Sequence, residues 1–152
     1  MNRLILPWTR CFLMALALLG ARSAWAKEYS CLHPWVPLLP GDVLYCPDDK
    51  SVMAVLTKGG KLQIRKGDRI VKEFQGKNKG DQHIFLALRP TGQLVMVQIE
   101  VDDPDGQHPT STHVVIWNPK PNGNKEGSVV LLGPDGVLTV RGPKGETVWS
   151  SK

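Results

Sequence analysis

The sequence predicts an all-β domain, on three observations. No window after residue 26 carries the 3.6-residue apolar period of an amphipathic helix. Short apolar or alternating runs recur at 42–45, 52–56, 61–65, 69–74, 83–88, 93–99, 113–117, 128–132, 137–141 and 146–150, and Gly, Pro, Asn or Asp separates nearly all of them. One hairpin unit is also written three times, beginning at Leu56-Thr57-Lys58-Gly59-Gly60, Leu88-Arg89-Pro90-Thr91-Gly92 and Leu132-Gly133-Pro134-Asp135-Gly136. A unit that cannot bury its own apolar face must pack against its copies.

The first 26 of the 152 residues are read as a secretory signal peptide. Arg3 and Arg10 form a basic start, Cys11 to Leu19 is an unbroken apolar run, and Ala24-Trp25-Ala26 is a small-x-small cleavage signal. An apolar run of that length is too short to span a bilayer, which needs about 20 residues. The expected product is exported to the periplasm or the extracellular space and is not inserted in a membrane. Removing Arg3, Arg10 and Arg22 leaves 16 basic against 14 acidic residues, a net charge of +2 rather than +5. That value gives no electrostatic basis for nucleic-acid binding. Cys31 and Cys46 remain as an even pair in an oxidising compartment, so a disulfide between them is expected. Closing that loop would contribute about 3 kcal/mol.

Residues 27–41 carry Pro34, Pro37 and Pro40 among Trp35, Leu38 and Leu39, which excludes a helix or a central strand and predicts an extended lead-in. The domain proper is 42–152. Its three turn glycines, Gly60, Gly92 and Gly136, each fall four residues after the unit's first leucine, where a tight hairpin needs positive φ. A second hairpin follows at Lys66-Gly67-Asp68 in repeat one and at Pro143-Lys144-Gly145 in repeat three. In repeat two an acidic and polar loop from Glu100 to Thr112 is expected instead. It lengthens the leucine-to-leucine spacing from 32 residues (56 to 88) to 44 (88 to 132). An aromatic ring then follows in each repeat: Phe74, Trp117 and Trp149. Rings at equivalent places in three packed sheets are expected to meet around one axis as core.

An apolar strand, an x-x-Gly-x-Leu turn, a second strand and a hairpin ending in Val/Ile-Trp, used three times, resembles the bulb-type (monocot mannose-binding) lectin domain. The closing Gly145-Glu146-Thr147-Val148-Trp149-Ser150-Ser151 is especially similar to that family's repeat ending. The resemblance covers about residues 42–152. It implies a β-prism II fold, with three antiparallel sheets around a pseudo-threefold axis, and up to three sugar pockets. It also implies a route to homodimers by exchange of C-terminal strands.

The family's pocket strand reads Gln-x-Asp-x-Asn-x-Val-x-Tyr, and its alternate residues share one face. In register, repeat one offers Thr57, Gly59, Lys61, Gln63 and Arg65. Repeat two offers Arg89, Thr91, Gln93, Val95 and Val97, and repeat three offers Gly133, Asp135, Val137, Thr139 and Arg141. Only Val95 and Asp135 match. The candidate carbohydrate-binding residues are therefore Arg89, Thr91, Gln93 and Val95, with Asp135. Cations occupy the same face in repeats one and three, at Lys61, Arg65 and Arg141, and two readings stay open for them: a fit to an anionic glycan, or a sheet face kept soluble.

The expected function is a binding module that takes a glycan weakly or atypically. The alternative is a structural or protein-interaction module of the cell envelope that keeps the scaffold and has lost sugar binding. No Gly-x-Ser-x-Gly elbow, P-loop or dinucleotide fingerprint is present, so neither enzymatic activity nor a cofactor is expected. No metal site is expected either. Asp102-Asp103-Pro104-Asp105-Gly106 has Val101 where a calcium loop needs its first aspartate and Thr112 where it needs a glutamate, and His108 and His113 are five apart.

Overall fold

The structure is a computed structural model that describes residues 26–78, 83–102, 106–107, 109–119 and 125–152. Residues 1–25 of the signal segment and the aspartates at 103 and 105 lie outside the described residues, as does His108. Eleven strands are present among the described residues: β1 (Glu28–Tyr29), β2 (Val43–Tyr45), β3 (Val52–Leu56), β4 (Lys61–Lys66), β5 (Arg69–Gln75), β6 (His83–Leu88), β7 (Leu94–Asp102), β8 (Thr110–Trp117), β9 (Val129–Leu132), β10 (Leu138–Arg141) and β11 (Thr147–Ser150). They form three sheets, ordered β1-β2-β3-β4-β5, β6-β7-β8 and β9-β10-β11. Each hairpin unit is thus one sheet of a three-sided prism. Every strand pair is antiparallel except β1–β2, which is parallel, a departure from the all-antiparallel expectation.

The three units match at atomic detail. In each, the residue after the first leucine donates its N–H across the turn, at 2.8 Å for Thr57 to Lys61, 2.9 Å for Arg89 to Gln93 and 3.0 Å for Gly133 to Val137. Gly60, Gly92 and Gly136 sit at φ of 72°, 83° and 76°. A β-bulge follows at one equivalent place in all three sheets, between Ile64 and Arg65, between Met96 and Val97, and between Val140 and Arg141. A bulge adds local twist and bends its strand, so three at matching positions curve the sheets alike. Their inner faces meet as one core, in which Leu56, Leu62, Leu86, Leu88, Leu94, Leu132 and Leu138 are at most 2% exposed.

The lead-in does more than run alongside. Leu32 bridges Val130 of β9, Leu38 bridges Leu86 of β6, and Leu44 in β2 pairs with Ala54 of β3. All three leucines are fully buried. Their partners are equivalent positions, each two residues before its repeat's first leucine. Leu32, Leu38 and Leu44 recur every six residues, a period readable in the sequence. One N-terminal strap therefore crosses all three sheets. Asp42, itself buried, accepts hydrogen bonds from the Lys27 N–H at 2.8 Å and the Leu39 N–H at 3.0 Å, which ties the strap where it turns into β2.

Three further expectations are corrected. The disulfide is absent: Cys46 is fully buried at the end of β2, while Cys31 is half-buried with its Sγ 3.2 Å from His33 Nε2, so the two are free thiols in separate surroundings. The segment expected as a loop from Glu100 to Thr112 is strand at both of its ends, because Glu100, Val101 and Asp102 pair with Thr112, Ser111 and Thr110. Cross-strand pairing satisfies the backbone there and extends the β7–β8 hairpin. The third correction concerns Phe74. Trp117 pairs with Met96 and Trp149 with Val140, but their counterpart opposite Ile64 is Lys72, and Phe74 pairs with Leu62 two residues along the same face. Phe74 still reaches the cluster. Its ring centroid is 5.3 Å from that of Trp117 and 6.5 Å from that of Trp149, the two indoles are 6.2 Å apart, and Lys72 Nζ caps Phe74 at 5.5 Å. All three rings are half-buried and pack on the leucine core.

Candidate functional site

The outer face of each sheet carries the register positions, and the three faces differ. On the first, the face is closed by its own side chains. Glu73 accepts from Lys61 Nζ at 2.9 Å and from Gln63 Nε2 at 2.8 Å, and the Gln63 carbonyl oxygen accepts from Arg65. Polar groups that satisfy one another gain less from a ligand's hydroxyls, since an incoming bond must replace an existing one. Those bonds, first from Lys61 and then from Gln63, hold the Glu73 carboxyl below its ordinary 4.5. A carboxylate depressed in the folded chain stabilises it above the unfolded pKa, and that contribution is lost as pH falls through the folded value. The melting midpoint is therefore expected to fall as pH drops below about 4.5, and Glu73→Gln to flatten part of that limb. Superimposable acid limbs for the two proteins would count against this network.

The second face holds a groove of about 410 Å³. Its floor is Phe85 and Ala87 from β6 with Val95 and Val97 from β7, and Trp35 and Pro37 of the strap form one wall. Arg89 and His113 are its charged or titratable edge. Of the candidate residues, Arg89 and Val95 line this groove. Thr91 is exposed at the turn outside it, and Gln93 is engaged by Arg89, whose Nη1 donates to Gln93 Oε1 at 3.1 Å. Polar Gln-Asp-Asn chemistry is thus replaced by an apolar floor. Trp35 is 81% exposed and has φ of 70°, the one positive value among described residues other than glycine. For a bulky side chain that backbone costs on the order of 1–3 kcal/mol.

The third face holds a groove of about 560 Å³ lined by Gly133, Asp135, Val137, Thr139 and Arg141. These are all five register positions of repeat three. Thr147 and Ser150 of β11 join them because they pair with Arg141 and Thr139, and Lys152 closes the end. Asp135 Oδ1 accepts the Val137 N–H at 3.2 Å, which fixes its carboxylate at the turn. Arg141 and Lys152 form no ion pair among the described residues. A smaller hollow of about 210 Å³, reaching to Asp48, shares Gly133, Pro134, Thr139 and Arg141 with this groove. The candidate residues are therefore split: Arg89, Thr91, Gln93 and Val95 belong to one face and Asp135 to another. Thr147, Ser150 and Lys152 escaped the single-strand register, although alternation on the neighbouring strand marks them.

No group of three or more His, Cys, Asp or Glu side chains that could hold a metal occurs among the described residues. No helix among them is long and apolar enough to cross a membrane.

Three sheets, matching turns and bulges, and a ligand-sized groove on a strand face define a β-prism of the bulb-lectin type. The same fold is found in a lectin from Marasmius oreades, over 84% of this chain and 95% of that one, with a TM-score of 0.61 and 23% identity. A monomeric monocot mannose-binding lectin from Gastrodia elata matches over 80% and 96% of the two chains, with a TM-score of 0.58 and 15% identity. The snowdrop (Galanthus nivalis) mannose-specific agglutinin, solved with methyl-α-D-mannoside, matches over 74% and 89%, with a TM-score of 0.53 and 19% identity. No family model matches the sequence, and no curated protein matches it.

Proposed function

We propose that the chain is an exported, non-enzymatic glycan-binding module whose working site is the third face. The observation that carries this reading is the convergence of all five register positions of repeat three on one groove, joined by Thr147, Ser150 and Lys152. Hydroxyls of Thr139, Thr147 and Ser150 can exchange hydrogen bonds with sugar hydroxyls, and Val137 offers an apolar contact for a ring edge. Two cations without ion-pair partners among the described residues, Arg141 and Lys152, favour a sugar bearing carboxylate or sulfate. The three similar structures are named as lectins, two of them for mannose, and this supports glycans as the ligand class.

A glycan array probed with the chain lacking residues 1–26 tests the proposal. Retention on acidic glycans is expected, weakened about tenfold by Arg141→Ala, the loss of one charge-assisted hydrogen bond. Absence of any glycan binding at millimolar protein, or binding indifferent to Arg141→Ala and Thr139→Ala together, would reject it. The self-satisfied first face and the exposed apolar residues Trp35, Leu39, Val101 and Val115 favour a second reading, a protein-interaction module of the cell envelope. Negative arrays would leave that reading standing.

A further inference from the structure

We infer that the groove beneath Trp35 on the second face binds a small aromatic anion, at a site separate from the glycan groove. Its volume of about 410 Å³ fits one ring system rather than a chain of sugars. The floor of Phe85, Ala87, Val95 and Val97 offers no side-chain hydrogen-bond partner, so a sugar seated there would bury its hydroxyls unpaired. An apolar ring meets no such penalty.

Two observations specify the ligand. First, Trp35 is presented rather than stored. The strap pins the chain just beyond it through the reciprocal bonds between Leu38 and Leu86, at 2.8 and 3.0 Å, while the Trp35 N–H reaches the Leu88 carbonyl at 3.4 Å. The indole is left 81% exposed on a backbone that glycine would adopt without strain. Strained conformations persist at ligand clamps because the position of the side chain matters there. The indole face and the Phe85 ring, itself edge-on to His113 at 6.1 Å, are suited to an aromatic guest. Second, among the described residues the groove carries charge of one sign only. Arg89 is exposed, its described hydrogen-bond partner is the neutral Gln93, and no described carboxylate lines the groove. A carboxylate or sulfonate on the guest would complete it.

A matched pair of probes tests this on the purified chain: 8-anilinonaphthalene-1-sulfonate and the neutral N-phenyl-1-naphthylamine, each titrated by fluorescence. The sulfonate is expected to bind saturably at one site per chain. Trp35→Gly should weaken both probes about tenfold while raising the melting midpoint, because glycine relieves the positive φ. Arg89→Gln should weaken the sulfonate about tenfold and leave the neutral probe within about twofold. Arg141→Ala, on the other face, should change neither, so this inference and the glycan reading fail independently. No saturable binding, binding indifferent to Trp35→Gly, or equal loss of both probes in Arg89→Gln would overturn it. So would self-association that vanishes in Trp35→Gly, which would make a second copy the occupant.

Discussion

Trp117→Ala is expected to lower stability by about 3–5 kcal/mol, in the range found for large aromatic-to-alanine truncations. The indole is the hub of the ring cluster, with Phe74 at 5.3 Å and Trp149 at 6.2 Å, and it pairs across β7 with the fully buried Met96. Removing it opens a cavity between all three sheets rather than within one. Phe74 and Trp149 cannot collapse into the space without pulling their own strands from register. Chemical denaturation of the variant measures the loss directly. A change under about 1 kcal/mol would show that the cluster only decorates a core sustained by the leucines.

Gly92→Ala is expected to cost about 3 kcal/mol or more, through two separate penalties. Its φ of 83° strains any residue with a Cβ. A Cβ there would also lie within contact-forbidden range of the Lys125 carbonyl oxygen, and 2.9 Å from both the Lys125 N and Ser128 Oγ. Backbone is the obstacle, so no rotamer change relieves it. Gly67, at φ of 58° with open space around it, is the control: Gly67→Ala carries the strain without the collision and should cost only about 1 kcal/mol. If the two variants melt alike, the close approach between repeats two and three is not what makes Gly92 necessary.

The scaffold was legible where chemistry is local. Turn glycines four residues after a leucine, and strands alternating between them, are imposed by φ and by one buried face, so Gly60, Gly92 and Gly136 could be placed without coordinates. Lys72 shows where that legibility stops. Counting from the leucines makes Phe74 the equal of the tryptophans, but a bulge changes which residue faces which partner, and no residue type announces a bulge of this kind. The strap is legible only in part: its prolines exclude a helix, while the six-residue spacing of Leu32, Leu38 and Leu44 gains meaning only once three sheets exist to receive it.

The candidate site was less legible, for a related reason. A groove is built from neighbouring strands, so Arg141 with Thr147, or Val95 with Phe85 and Trp35, are associations between segments distant in sequence. The register fixed which face each residue occupies but not which faces are concave. Thr91 and Gln93 were the most sugar-like residues of repeat two by type, yet they lie outside its groove, while repeat three, with only Asp135 in common with the lectin motif, is where the five positions converge.

The strap also fixes the order in which the molecule can be completed. Leu32 leaves the ribosome early, yet its partner Val130 stands 98 positions later (130 minus 32). Until the third repeat has emerged, the groove awaiting Leu32 does not exist, and an apolar leucine stays in water. Sheets one and two can pair as they appear, but closure waits for the end of the chain and carries a high loop-closure cost. A chain truncated before residue 130 lacks the partner of Leu32 and leaves its own N-terminal clasp unfastened, with apolar surface exposed to water.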